Sequence, residues 1–225
     1  MSNNKHERTL IELLAVLGGK SSVFCYKEGV LAANLVTMIT QEMEKGYKLP
    51  VIRICWNENE LDNEMLTDNT SSFYIFRNFT TALIRIEKLI SREKHLIMIS
   101  DISNLGSEQN SRPYMRFLSI LLRKNKEYGS TLVTLVDKEC RNPLVKAELV
   151  PHFRNCFIIA EGRIAKDNDR LADIRYSIKS GKLYLEPYLP DDVNKIKEIF
   201  SLTPEEKKEL DRIVGQSLEE YRTSM

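Results

Sequence analysis

The stretch SSVFCYKEGVLAANLVTMITQEMEKGYKLPVIRICW, residues 21–56, decides the fold class. Ser21–Tyr26 is a short β-branched and aromatic run, read as a buried strand. Lys27–Gly29 makes a turn. Leu31–Lys45 carries apolar residues three and four apart and predicts a strong helix, with Gly46 as its C′ residue. Pro50–Trp56 predicts a second strand. A strand, a helix and a strand in this space form the crossover unit that parallel sheets use.

Working outward, Leu10–Leu17 has helical spacing and ends at Gly18-Gly19. Asn57–Ser72 is polar and acidic and reads as a loop. Phe79–Arg92 predicts a helix, and Leu96–Ser100 a strand of the kind covered on both faces. Met115–Tyr128 predicts a helix ending at Gly129. Thr131–Val136 and Cys156–Ala160 predict further strands. Arg175–Ile178 and Lys182–Glu186 flank Ser180-Gly181 as a hairpin. The expected fold is therefore α/β, three-layered, with a mainly parallel sheet, a C-terminal hairpin and a helical tail. The expected division is residues 1–189 as the sheet domain and 190–225 as the tail.

Composition narrows the function. The chain has 225 residues, with 33 Lys and Arg against 32 Asp and Glu, a net charge of +1. A histone-like coat protein would be far more basic. No run reaches the roughly 20 apolar residues that cross a bilayer, and the polar start, Met1–Arg8, is no secretory signal. The 4 cysteines, Cys25, Cys55, Cys140 and Cys156, form no C-x-x-C pair and read as reduced residues of a cytoplasmic protein. His6, His95 and His152 lack metal-site spacing, so no metal is expected.

In a parallel sheet the working loops follow the carboxyl ends of the strands. After the first strand comes Lys27-Glu28-Gly29-Val30-Leu31-Ala32-Ala33, where a phosphate loop would lie. After Leu96–Ser100 comes Asp101, the form of a Walker B carboxylate that holds magnesium. With LIELL then Gly18-Gly19, VFCYKEGVLAANL, ICWNENE and LIMISDISNLG in this order, the chain resembles the RecA superfamily. It resembles above all the archaeal KaiC-like members, a group with the archaellum ATPase and the RadA paralogs. The resemblance runs from Leu10 to about Leu189.

That resemblance implies a nucleotide site, and the residues depart from it. A phosphate loop reads G-x-x-x-x-G-K-[ST], its glycines turning N–H groups toward the phosphates and its lysine neutralising them. Here Leu31 stands for the last glycine, Ala32 for the lysine and Ala33 for the hydroxyl residue; Gly29 alone remains. Lys27, Glu28, Gly29, Ala32 and Ala33 thus read as a vestigial loop. Gly19-Lys20-Ser21 precedes a strand and lacks the leading glycine, so Lys20 reads as a solvent-facing turn residue. Glu58 matches a family glutamate but has Asn57 beside it, and without bound phosphates it has no water to activate. Asp101 can hold magnesium or can cap the turn that follows it, and the cap is the plainer reading.

The expected function is a non-catalytic RecA/KaiC-like regulator or scaffold, with no cofactor and weak or absent Mg-ATP binding. Two alternatives stay open. One is a repair or recombination accessory paralog that binds DNA or a recombinase, with Arg112, Arg116, Arg123, Lys124 and Lys126 as nucleic-acid candidates. The other is an ATPase with an atypical loop. The expected partner is another protein or a second copy of the chain; DNA is possible and no membrane is expected.

In the tail, Val193, Ile196, Ile199 and Phe200 fall at helical spacing, as do Leu210, Ile213, Val214 and Leu218. Thr203-Pro204-Glu205-Glu206 opens the second helix as a capping box. Such a helix packs on its own domain or holds a neighbouring subunit. Deleting Pro204–Met225 tells them apart: a folded truncation of lower mass by light scattering is expected for docking between copies. Unfolding assigns the helix to the domain's own core, and an unchanged mass removes the assembly role.

Overall fold

The structure, a computed structural model, describes residues 2–27, 29–56, 70–74, 79–103, 111–140, 145–160, 162–166 and 169–187. All belong to one compact unit, Met1–Pro187. The helices expected in residues 190–225 lie outside the described residues, as do Glu28 and Glu58.

Among the described residues four α-helices and nine strands follow one another, with two short helical turns, Val145–Leu149 and Val150–His152, before β6: α1 (Ser2–Leu17), β1 (Ser21–Tyr26), α2 (Gly29–Tyr47), β2 (Val51–Cys55), β3 (Thr70–Tyr74), α3 (Phe79–Ile90), β4 (Leu96–Ile99), α4 (Ser111–Tyr128), β5 (Thr131–Asp137), β6 (Asn155–Ala160), β7 (Arg163–Lys166), β8 (Asp169–Lys179) and β9 (Lys182–Pro187). The strands form one sheet in the order β3-β2-β4-β5-β1-β6-β7-β8-β9. The first six in that order pair in parallel, and β7, β8 and β9 continue antiparallel. The fold class is the one expected, an α/β architecture with a mainly parallel sheet and a terminal hairpin.

The two-residue period of the strands sorts side chains into two cores. Val23, Ile52, Ile54, Ile97, Ile99, Leu132 and Val136 lie in one core with Ala82, Ile86 and Ile90 of α3 and Leu118 and Leu121 of α4. Phe24, Val51, Leu96, Val133, Leu135 and Phe157 lie in the other with α1 and α2. Helices thus cover both faces, and the central strands β1, β2, β4 and β5 can be largely apolar. Phe24 and Phe157, from neighbouring strands, stack at 4.8 Å between centroids, and both are buried.

Several boundaries differ from the sequence reading. α2 runs past Gly46 to Tyr47, and Lys48, with φ 51°, is the left-handed residue that closes it. The extra turn carries Tyr47 to the end of α1, where a Cβ at Gly18 would sit 3.7 Å from its hydroxyl oxygen. Residues 70–72, read as loop, belong to β3. This polar strand lies at the sheet edge, where only one side pairs and β-propensity is weakly expressed. β7 was not expected either; of its four residues only Ile164 is buried, too short a pattern to read. The hairpin turn is as expected, with Ser180 at φ 49° and Gly181 at φ 70°, both left-handed as a type I′ turn demands. Beside it, the N–H of Leu185 on edge strand β9 donates to His6 Nδ1 at 2.9 Å, which caps part of that edge.

Replacing Phe24 or Phe157 by alanine removes a buried ring that the neighbouring strand cannot replace. Each is expected to cost about 3–5 kcal/mol, seen as a lower urea midpoint with an unchanged slope. The double variant is expected to lose less than the sum, because the rings share one contact.

Candidate functional site

Three parallel strands bring the candidate residues together at their carboxyl ends. β1 ends at Tyr26, β2 is followed by Trp56, and β4 is followed by Ser100 and Asp101. Backbone bonds hold this rim: Ser100 N–H donates to Ile54 O at 2.9 Å, Ile102 N–H to Leu135 O at 3.0 Å, and Lys138 N–H to Tyr26 O at 2.6 Å. Trp56 Nε1 donates to Asp101 O at 2.9 Å, tying the end of β2 to the turn after β4. Tyr114 meets Trp56 edge-on at 5.7 Å and Phe79 at 4.6 Å, an aromatic wall beside the rim.

The Asp101 carboxylate is enclosed by donors. Its Oδ1 accepts from Ser103 N–H at 2.8 Å and from the Ser103 hydroxyl, and its Oδ2 accepts from the Tyr26 hydroxyl. The bond to the N–H two residues on is an Asx turn, the capping role open to a strand-end aspartate. The Ser103 oxygen in turn accepts from Asp137 N–H at 2.5 Å, which links the turn to the end of β5. Three donors thus fill most of the roughly four acceptor positions of a carboxylate.

Tyr26 occupies the corner between Asp101 and the start of α2. A Cβ on Gly29 would lie 3.2 Å from Tyr26 Cε2, so the ring covers the first residue of the helix. Burial, then the hydrogen bond to Asp101 and its charge, push the Tyr26 hydroxyl well above the ordinary tyrosine range. The connection between β1 and α2 is residues 27 and 28 alone. A phosphate loop places four residues between its glycines before the helix begins. Lys27 is exposed, Leu31 is 49% exposed, Ala33 is exposed and Ala32 is buried in the core with α1 and β6. A residue at position 32 therefore points into apolar surroundings rather than toward a ligand.

The other candidates disperse. Lys20 is half-buried in the bend before β1, the far end of that strand from Lys27. The basic series on α4 does not form one patch. Arg112 and Arg116 flank a hollow against Phe79 and Leu83 of α3. Lys124 bonds Glu87 at 2.7 Å and Glu127 at 3.2 Å. Arg123 and Lys126 line a groove at the opposite end of the helix from Arg112. Seven residues, about 10 Å of helix rise, separate Arg116 from Arg123. Among the described residues no group of three or more His, Cys, Asp or Glu is placed to hold a metal.

Tyr26 and Ser103 were missed at the level of sequence. Their signals are slight: an aromatic closing a strand three residues before a glycine, and Ser in the D-x-S spacing of an Asx turn.

No protein-family model and no curated protein matches the chain. The fold is similar to the crystal structure of a KaiC-like protein from the hyperthermophilic archaeon Pyrococcus horikoshii OT3. The TM-score is 0.55 at 13% identity, over 76% of this chain and 90% of that one. The likeness is one of fold, and it supports the α/β RecA-like architecture expected from the order of segments.

Tyr26→Phe deletes one donor to a half-buried charged acceptor and is expected to cost about 1.5 kcal/mol. Because the folded state raises the Tyr26 pKa, its contribution is complete below the unfolded tyrosine value of about 10 and is lost as pH rises through the folded one. The gap in urea midpoint between wild type and Tyr26→Phe is therefore expected to be wider at pH 9 than at pH 11. A gap independent of pH would assign the loss to packing alone.

Proposed function

We propose that this chain is a non-catalytic RecA/KaiC-like protein of the cytoplasm, acting as a regulatory or scaffolding partner of another protein or of its own copies. One observation carries the reading: the Tyr26 side chain fills the corner between Gly29 and Asp101, where a phosphate group would have to sit. Two residues join β1 to α2, against the four that a phosphate loop places between its glycines, and Ala32 and Ala33 stand where the lysine and hydroxyl residue that bind phosphate and magnesium would be. Asp101 is committed to Tyr26 and Ser103, so a magnesium ion would have to displace their hydroxyls. What the geometry retains is a rigid sheet with helices on both faces, suited to presenting surfaces. No helix among the described residues is long and apolar enough to cross a membrane.

The test is a thermal melt with and without millimolar Mg-ATP at physiological salt. A ligand at a hundred times its Kd stabilises by about 2.7 kcal/mol, several degrees for a domain of this size. No rise in Tm and no phosphate release are expected. A clear rise, or turnover that disappears in Asp101→Ala, would overturn the reading in favour of an ATPase with an atypical loop.

A further inference from the structure

At the amino ends of β1, β5 and β6, the edge of the sheet away from Asp101, lies a groove of about 780 Å³. Lys20 enters it from the start of β1, Arg123 and Lys126 from the last turns of α4, and Arg154 from the segment leading into β6. No aspartate or glutamate lines it among the described residues. Among the described residues none of the four cations forms an ion pair there; the neighbouring Glu87, which feels the charge of Arg123, is bonded to Lys124 at 2.7 Å. A chain of net charge +1 has thus gathered four like charges in one concavity whose lining, among the described residues, holds no carboxylate. Such clefts focus the field and attract a polyanion.

The groove is built rather than incidental. Gly19, at φ 67°, turns its N–H onto Thr131 Oγ1 at 2.8 Å, and Arg154 N–H donates to Ser21 Oγ at 3.1 Å. These bonds fix the rims that carry Lys20 and Arg154. In the lining, Asn125 is 1% exposed, and its Oδ1 has no hydrogen-bond partner among the described residues. A buried amide oxygen of this kind calls for an N–H or O–H donor.

We propose that this groove binds single-stranded nucleic acid. The cations stand on three separate segments, and Arg123, Lys126 and Arg154 are exposed, so they meet successive phosphates of a strand better than they enclose one small anion. Leu122 and Phe153 give the lining an apolar part between the charges, which bases can use and acidic side chains cannot. The unpartnered Asn125 oxygen suits a base amino group or sugar hydroxyl. Two of the residues, Arg123 and Lys126, belong to the basic series of α4, and Asn125 lies between them on the same helix; Lys20 and Arg154 join them only through the fold.

Fluorescence anisotropy of a labelled oligothymidine tests the site. With four phosphate contacts, the logarithm of affinity is expected to fall against that of salt with a slope of about −2.8, and Arg123→Gln with Arg154→Gln brings it to about −1.4 and weakens binding. Arg112→Gln with Arg116→Gln leaves the slope unchanged. Matched thermal melts of the variants confirm that folding is intact; if the arginine pair melts early, Lys20→Gln with Lys126→Gln replaces it. Absence of binding at low salt, equal loss in the Arg112 and Arg116 variant, or preference for polyglutamate over the oligonucleotide would overturn the proposal. These substitutions leave the Asp101 corner intact, so the outcome is independent of the nucleotide test above.

Discussion

The rest of the structure depends on the double-sided burial of β1. Its neighbours β5 and β6 take up its backbone hydrogen bonds, and its side chains alternate between the two cores, Val23 into one and Phe24 into the other. A strand in that position admits no charged residue along its length. Its polar chemistry is displaced to its two ends, and those are where both candidate sites lie. The helices on either face are seated by the same alternation, so the layer order and the location of function have one physical origin.

The two ends of the sheet resolve their charges in opposite ways. At the carboxyl edge the Asp101 carboxylate is met by a hydroxyl from β1 and by two donors of its own turn, so its charge is compensated from within the chain. At the amino edge four cations share a groove with no carboxylate in its lining among the described residues. A compensated charge stabilises the fold and asks nothing of a ligand. An uncompensated cluster costs electrostatic free energy in the free protein, and a polyanion relieves it. The amino edge is therefore the electrostatically unfinished part of the described molecule.

The layer architecture was legible because it is written in residues that alternate or recur on one element: Ile52 and Ile54, Ile97 and Ile99, or Ala82, Ile86 and Ile90. Periodicity needs no knowledge of neighbours. The positions of Gly29, Ala32 and Asp101 were legible too, since the strand that precedes each is unambiguous. What escaped has a common cause. Tyr26 acquires its role only when β4 brings Asp101 beside β1, 75 residues away in sequence. Lys20 and Arg154 become neighbours only because β1 and β6 pair. β3 and β7 are short and depend on the strand beside them rather than on their own pattern. Local signals specify elements; partners 75 residues apart are specified by the sheet order alone.

On the function proposed above, the same reasoning explains how such a fold stands without a phosphate loop. A lysine at position 32 would put its stem among Leu35, Phe24 and Phe157 and its ammonium at the edge of an apolar core, where an unpaired charge is expensive. A bound phosphate offsets that cost in proteins that carry the loop. Ala32, fully buried, removes the cost at its source. Tyr26 does the same for the facing acid, supplying Asp101 with a donor that would otherwise come from metal-bound water. Each side of the corner is satisfied separately, and together they make the ligand-free state the well-packed one.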